Sequence, residues 1–163
     1  MKQSEAIFLF LIGLVLFSLF RKPVKKTIDM ALSRGYRNNN PGNIVLTPGS
    51  FWRGEIAGTD KRFKTFESME YGYRGIFVTL NSYIRKGFDT IEKIINRYAP
   101  PHENQTLSYA KTVSNMTGIS LTTPVSFQNP EEIIKIVAAI SFVENGIQAD
   151  PEQILKGYQL FKS

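Results

Sequence analysis

The sequence predicts a mainly α-helical α+β domain with one small antiparallel β flap, preceded by an N-terminal transmembrane helix. Three observations lead there. Ala6–Phe20 (AIFLFLIGLVLFSLF) is an uncharged run of fifteen residues closed by RKPVKK. From residue 71 onward, apolar residues recur at helical spacing between start and stop signals. Between these regions, residues 38–66 change to turn residues and short alternating runs, the pattern of strands and tight connections.

The membrane segment comes first. At about 1.5 Å rise per residue, fifteen residues reach about 22 Å, short of a hydrocarbon core of about 30 Å. Snorkelling by Lys2, Arg21 and Lys22, or a thin bilayer, closes the gap. A cleaved signal peptide is the competing reading, since apolar stretches of this length occur there. Against it, the basic cluster follows the run, and no small-x-small cleavage site precedes Arg21. The expected division is therefore residues 1–26 as anchor and basic juxtamembrane segment, and 27–163 as the folded domain. The chain carries 20 Lys+Arg against 14 Asp+Glu. Five of the cations and one acid lie in residues 1–26, which leaves 15 against 13 for the domain. The basic pI thus comes mostly from a cluster suited to anionic lipid, and nucleic acid is not an expected partner. The positive-inside tendency places the Arg21–Lys26 side on the cytoplasmic face or on the interior face of a membrane-bearing particle.

Composition excludes several chemistries. No cysteine is present, so neither a disulfide framework nor a thiolate metal site can form, and a single histidine (His102) gives a zinc site or a Ser-His pair little to build on. No cofactor is expected.

Taken in order, Thr27–Ser33 reads as a short helix running into Arg34-Gly35. Asn38–Ile44 (NNNPGNI) is turn chemistry, and Ile44–Phe66 reads as a two- or three-stranded flap containing the alternating run Arg62–Phe66. Phe63 and Phe66 have odd spacing, so one should pack inward while the other, with Trp52, faces a cleft or a neighbouring helix. Tyr71–Lys86 sets Tyr73, Ile76, Phe77, Leu80, Tyr83 and Ile84 on one stripe that Gly87 ends. Asp89 or Thr90 caps Ile91–Tyr98, which Pro100-Pro101 terminates. Thr106–Met116 stops at Gly118. Asn129 starts a helix with Pro130 at its first position and Glu131 and Glu132 in its first turn, running to Glu144 before Asn145-Gly146. Asp150-Pro151 repeats the start signal for Glu152–Phe161.

A mostly helical domain with one small sheet beside a cleft is the plan of lysozyme-like proteins. The ordered set RGYRNNNPGNI (34–44), Trp52-x-Gly54, FKTFESMEYGYRGIF (63–77) and TIEKIINRYAPPHENQTLSYAKTV (90–113) resembles phage-encoded virion structural proteins and peptidoglycan hydrolases. It is also distantly similar to the flagellar-type N-acetylglucosaminidases, through Asn39-Asn40 with Asn43-Ile44, Phe63–Phe66 with Ser68, and Tyr98-Ala99 with Tyr109-Ala110. Those enzymes carry a catalytic glutamate just before the paired-Asn turn. Thr27–Arg37 has no glutamate, only Asp29.

The acid must therefore be sought elsewhere, and two glutamates are candidates. Glu144, in AAISFVENGIQAD, resembles the helix-ending glutamate of lytic transglycosylases, with Asn145 where Ser is usual. A carboxyl at a helix C-terminus beside an apolar face meets the negative end of the dipole in low dielectric, and both favour the protonated form a general acid requires. Glu103 lies in PPHENQT, a rigid connection between two helices, and the resemblance is densest around it. The acid should share a groove with the NNNPGNI turn. Asn39, Asn40 and Asn43 are candidates for binding sugar hydroxyls, although Asn also suits turns with positive φ. Trp52 is a candidate for stacking on a pyranose, and Tyr98 for lining the same site. Tyr109 reads as packing at the core edge. Glu55, Asp60, Glu67 and Glu70 read as solvated charges around the flap, with Asp60 or Glu67 available as a second carboxylate.

The resemblance implies a membrane-anchored enzyme that cleaves the β-1,4 glycan linkage of peptidoglycan, of lytic transglycosylase or muramidase type, in a lipid-containing bacteriophage. Its expected partners are peptidoglycan, a lipid bilayer and other virion proteins, and its expected place is the internal membrane of a virion as a single-pass protein. The alternative is a catalytically inactive virion membrane protein that uses the same fold as a scaffold.

Overall fold

The asparagine turn at residues 38–43 is the point on which the fold is assembled. A computed structural model of the chain describes residues 32–99 and 103–163, with side chains throughout except at 103 and 104. The apolar run 6–20 and the basic cluster after it lie outside the described residues, as does His102. Among the described residues, no helix is long and apolar enough to cross a membrane.

Arg34–Ser163 forms one compact unit. A single helical turn, α1 (Arg34–Arg37), leads into the asparagine turn. The flap follows, with β1 (Glu55–Ile56) antiparallel to β2 (Thr65–Phe66) in the register Glu55 opposite Phe66. A single bridge, Val45 to Phe63, joins the preceding segment without making a third strand. Five helices complete the unit: α2 (Met69–Ile84), α3 (Ile91–Tyr98), α4 (Glu103–Thr117), α5 (Pro130–Asn145) and α6 (Pro151–Lys162). A mainly helical α+β domain with a small antiparallel sheet is what the chain folds into.

The start and stop signals act much as their chemistry dictates. The Thr90 hydroxyl accepts from Lys93 N, and Asp150 accepts from Glu152 N. Gly146 closes α5 at φ 67°, its N–H donating to Phe142 O at 2.7 Å. Asn129 stands before Pro130 but makes no side-chain cap bond. Helix ends shift by one to three residues from the sequence reading, α2 closing at Ile84 and not Lys86, and two starts move furthest. α2 begins at Met69, two residues before Tyr71, because Ser68 supplies an extended N-cap and Met69 packs inward. α4 begins at Glu103 rather than Thr106. Thr27–Ser33 lies almost wholly outside the described residues, and Ser33 itself is not helical.

α5 is the central helix, with Ile133, Ile136, Val137, Ala139, Ile140 and Ser141 buried. It packs on α4 and α6 and touches α1 and α2. α2 packs most extensively on α6, where Gly157 lets the two backbones approach: a Cβ there would lie 2.6 Å from Tyr73 Cβ. The outer edge of that pair is aromatic, Phe77 meeting Tyr158 edge-on at 5.2 Å and Phe127 meeting Phe161 at 5.1 Å.

The flap narrows one expectation and corrects another. Phe66 packs inward with no exposure, while Phe63 faces the neighbouring helix α1, its ring between the guanidiniums of Arg34 and Arg62, 4.6 and 5.1 Å from its centre. Two of the four flap acids are not solvated. Glu55 accepts from Lys64 Nζ at 2.7 Å with both side chains almost fully covered, and Lys64 also donates to Ser50 O. Asp60 accepts from Arg34 Nε and Nη2, Asn38 Nδ2, and the N–H groups of Arg62 and Phe63. Those donors hold its carboxyl well below the usual carboxylate range, the Arg34 bond contributing most. Glu67 remains exposed. A short flap has too few ladder bonds to hold itself, so inward ion pairs and the asparagine turn fix it instead.

Candidate functional site

Each asparagine of the turn has a different task. Asn40 is fully buried; its Nδ2 donates to Ile44 O and Lys64 O, and its Oδ1 accepts from Ile44 N. Every polar atom of that side chain is engaged, so it offers nothing to a sugar. Asn39 takes φ 49° and donates to Phe66 O, fastening the turn to β2. Asn38 reaches Asp60. Asn43, at φ 47°, turns its amide towards the end of α5: Nδ2 donates to Glu144 Oε2 at 2.8 Å. Its Oδ1 is buried and has no hydrogen-bond partner among the described residues.

Glu144 is the second-last residue of α5, half-buried, and both carboxylate oxygens are held. Tyr109 on α4 donates its hydroxyl to Oε1 at 3.0 Å, opposite the Asn43 bond to Oε2. Burial first, and then the Glu144 charge, push the Tyr109 hydroxyl well above its ordinary range, so it stays a donor. Tyr98 at the end of α3 donates to Gly42 O at 2.6 Å, and burial followed by the same Glu144 charge raises it likewise. Asn145 ties α5 to the turn by donating to Pro41 O at 2.7 Å and Ser141 O at 2.9 Å. Gly42 must be glycine here, because a Cβ would collide with Tyr98 Oη and Ile76.

Beside this cluster runs a groove of about 420 Å³ between the flap and α2, lined by Asn43, Trp52, Thr79, Ser82 and Tyr98 among others. Asn43 and Tyr98 belong to both groove and cluster. Glu144 stands behind Asn43 rather than on the wall itself. Trp52 lines the groove with its indole N–H donating to Ser50 Oγ and the Lys64 ammonium 5.6 Å from its ring centre. An apolar ring beside hydroxyls and amides is a surface suited to a polar ring compound with one apolar face. No acidic side chain lines the groove, and no group of three or more acidic or histidine side chains among the described residues is placed to hold a metal ion.

Of the site residues read from the sequence, the fold gathers Asn43, Trp52, Tyr98 and Glu144, and it sets Asn39 and Asn40 into the scaffold. Glu103 is the first residue of α4, and its side chain lies outside the described residues. Tyr109 packs at the core edge as the sequence indicates, and its hydroxyl in addition reaches Glu144. The signal for it was its place in the Tyr-Ala segment, but only the fold reveals that α4 lays it against the end of α5. Thr79 and Ser82 gave no signal beyond being the polar positions flanking the apolar stripe of α2.

No family model matches the chain. It is 35% identical over 134 residues to "Protein P5" of Pseudoalteromonas phage PM2, across 78% of this chain and 81% of that protein.

Proposed function

The chain belongs to the family of Protein P5 of Pseudoalteromonas phage PM2, and from that premise we propose that it is a virion-associated phage protein whose lysozyme-like domain cleaves the glycan strands of peptidoglycan. The observation that carries this reading is the Glu144 carboxyl, held by Tyr109 and Asn43 at the mouth of α5, with Asn43 continuing into the Trp52 groove. Glu144 is the general acid. It gives its proton to the bridging oxygen as the C1–O bond breaks and the oxocarbenium-like state forms. Glu144 reaches the sugar by turning past Asn43 into the groove, and because no carboxylate lines the groove to assist it, the sugar's own 6-hydroxyl closes on C1 and returns its proton to Glu144, leaving an anhydro product. Trp52 stacks on a pyranose face, and Asn43 and Tyr98 position the ring beside the acid. Residues 6–20 anchor the protein in the virion membrane.

A second reading, an inactive scaffold of the virion, draws on the same cluster. Both oxygens of Glu144 are held by protein donors, so the carboxylate also serves as a tie between the turn, α4 and α5. The full-length protein, incubated with purified peptidoglycan and followed by mass spectrometry, separates the outcomes. Anhydromuropeptides support the transglycosylase route, reducing-end muropeptides point to hydrolysis, and an absence of products leaves the scaffold.

A further inference from the structure

The outer surface of the flap is unusual in what it exposes. Leu46 is 39% exposed, Ile56 46% and Phe51 89%, whereas Val45, 51% exposed, lines the groove. The largest of these, Phe51, sits on the loop after the Thr47–Ser50 turn with almost its whole ring in solvent. Single exposed apolar residues need no explanation, but three within eleven residues on one small element do.

Charge between residues 45 and 62 is sorted by direction, the exposed Glu67 lying beyond it at the end of β2. The two acids of that stretch, Glu55 and Asp60, are turned inward and paired, with 6% and 7% of their side chains exposed. Its remaining cations, Arg53, Lys61 and Arg62, are exposed. The backbone sets these groups side by side, since Leu46 N donates to Arg62 O at 2.8 Å and Arg53 stands two residues from Phe51. The outward face is therefore apolar and cationic, with no exposed acid between residues 45 and 62.

We propose that this face, 45–62, docks on the headgroup layer of a bilayer containing anionic lipid, with Phe51, Leu46 and Ile56 entering the interface and Arg53, Lys61 and Arg62 on the phosphates. A protein partner would need matching acids and an apolar pocket; a glycan strand could stack on Phe51 but supplies no anion for Arg53, Lys61 and Arg62 and no apolar layer for Leu46 and Ile56. An anionic bilayer supplies both halves of the complement at once. The uncharged run ends at Phe20, 25 residues before Val45, so a bilayer holding that run is within reach of the flap. Docking in this way sets the groove beside the membrane surface, and it requires no lytic activity.

The absence of native cysteine permits a clean test. Full-length F51C is labelled with an environment-sensitive fluorophore and reconstituted in vesicles with or without phosphatidylglycerol, with doxyl-lipid quenchers. K111C, exposed on α4, serves as the reference site. The expected result is blue-shifted, quenched emission at position 51 only in anionic vesicles, lost in high salt and in the R53E/K61E/R62E variant, with K111C unaffected. High salt acts on the native flap, so the test stands even if the triple variant fails to fold. A label that stays in water, or is quenched equally in phosphatidylcholine alone, overturns the proposal. So does a shift that grows with protein concentration in detergent, which assigns the face to a second copy, or one produced by peptidoglycan and not by vesicles.

Discussion

At the scale of single residues, the asparagines show why residue type alone does not assign a role. Four asparagines within six positions signal both a turn and a sugar site, and only their neighbours decide. Asn40 became structural because β2 brings Lys64 O to it, a contact across 24 residues that no local pattern contains. Replacing it by alanine leaves Lys64 O and Ile44 N without partners in the interior. At about 1–3 kcal/mol per buried unpaired group, Asn40→Ala should cost about 2–6 kcal/mol in urea unfolding. Unchanged stability would contradict the place given to Asn40. Glu144 was legible because a helix-ending glutamate has a local sequence context. Tyr109, its partner, was not, since the pair spans 35 residues. If Glu144 is the acid, Glu144→Gln should lower turnover by at least 10²–10⁴-fold, the range of general acid assistance, because an amide has no proton of the right acidity to give. Tyr109→Phe keeps the acid and removes one positioning bond, so its loss should be smaller. Equal losses from the two changes, or none from Glu144→Gln, would remove Glu144 from the role of acid.

At the scale of elements, the helices were legible and the flap was not, for one physical reason. Helix signals are local: a cap, a stripe and a stop all lie within one segment. Gly146 illustrates this. It takes φ 67° with no atom near where a Cβ would stand, so Gly146→Ala tests backbone conformation alone. The substitution should cost about 1 kcal/mol, read as a lower urea midpoint at constant slope. The flap instead depends on charge pairing between distant positions, Lys64 with Glu55 and Asp60 with Arg34, and these acids looked like ordinary surface charges in the sequence. Asp60 makes the flap sensitive to acid. Its carboxyl is depressed in the folded state, so its contribution is complete above the ordinary carboxylate range and is lost as pH falls through that range towards the folded value. The expected outcome is that Asp60→Asn lowers stability near neutrality and flattens its dependence on pH below about 4. A wild-type and a variant profile that run parallel through that range would show that Asp60 is not differentially held.

At the scale of the whole molecule, α5 binds the other elements together through tyrosines that come from three different helices. Tyr73 of α2 shares a 3.3 Å hydrogen bond with Ser141, Tyr109 of α4 donates to Glu144, and Tyr98 of α3 reaches the turn that Asn145 secures. All three hydroxyls are raised above the ordinary tyrosine range, with burial as the first cause in each. For an acid whose folded value is raised, the folded state favours the neutral form. The stabilisation is then complete below about pH 10, the unfolded tyrosine value, and is lost as pH rises from there towards the folded values. Because each hydroxyl sits where a different helix meets α5 or its turn, ionising one weakens the packing that shields the others. Tyrosinate absorbance followed together with far-ultraviolet circular dichroism should therefore show a first non-cooperative phase from the more accessible rings. A second, steep phase should coincide with loss of helix. Tyr109→Phe should leave the number of ionising groups in that steep phase reduced by one, with the two signals still coincident. If all seven tyrosines instead titrate smoothly near pH 10 while the helices persist, the shielding by α5 does not exist, and with it goes the donor that holds Glu144 in place.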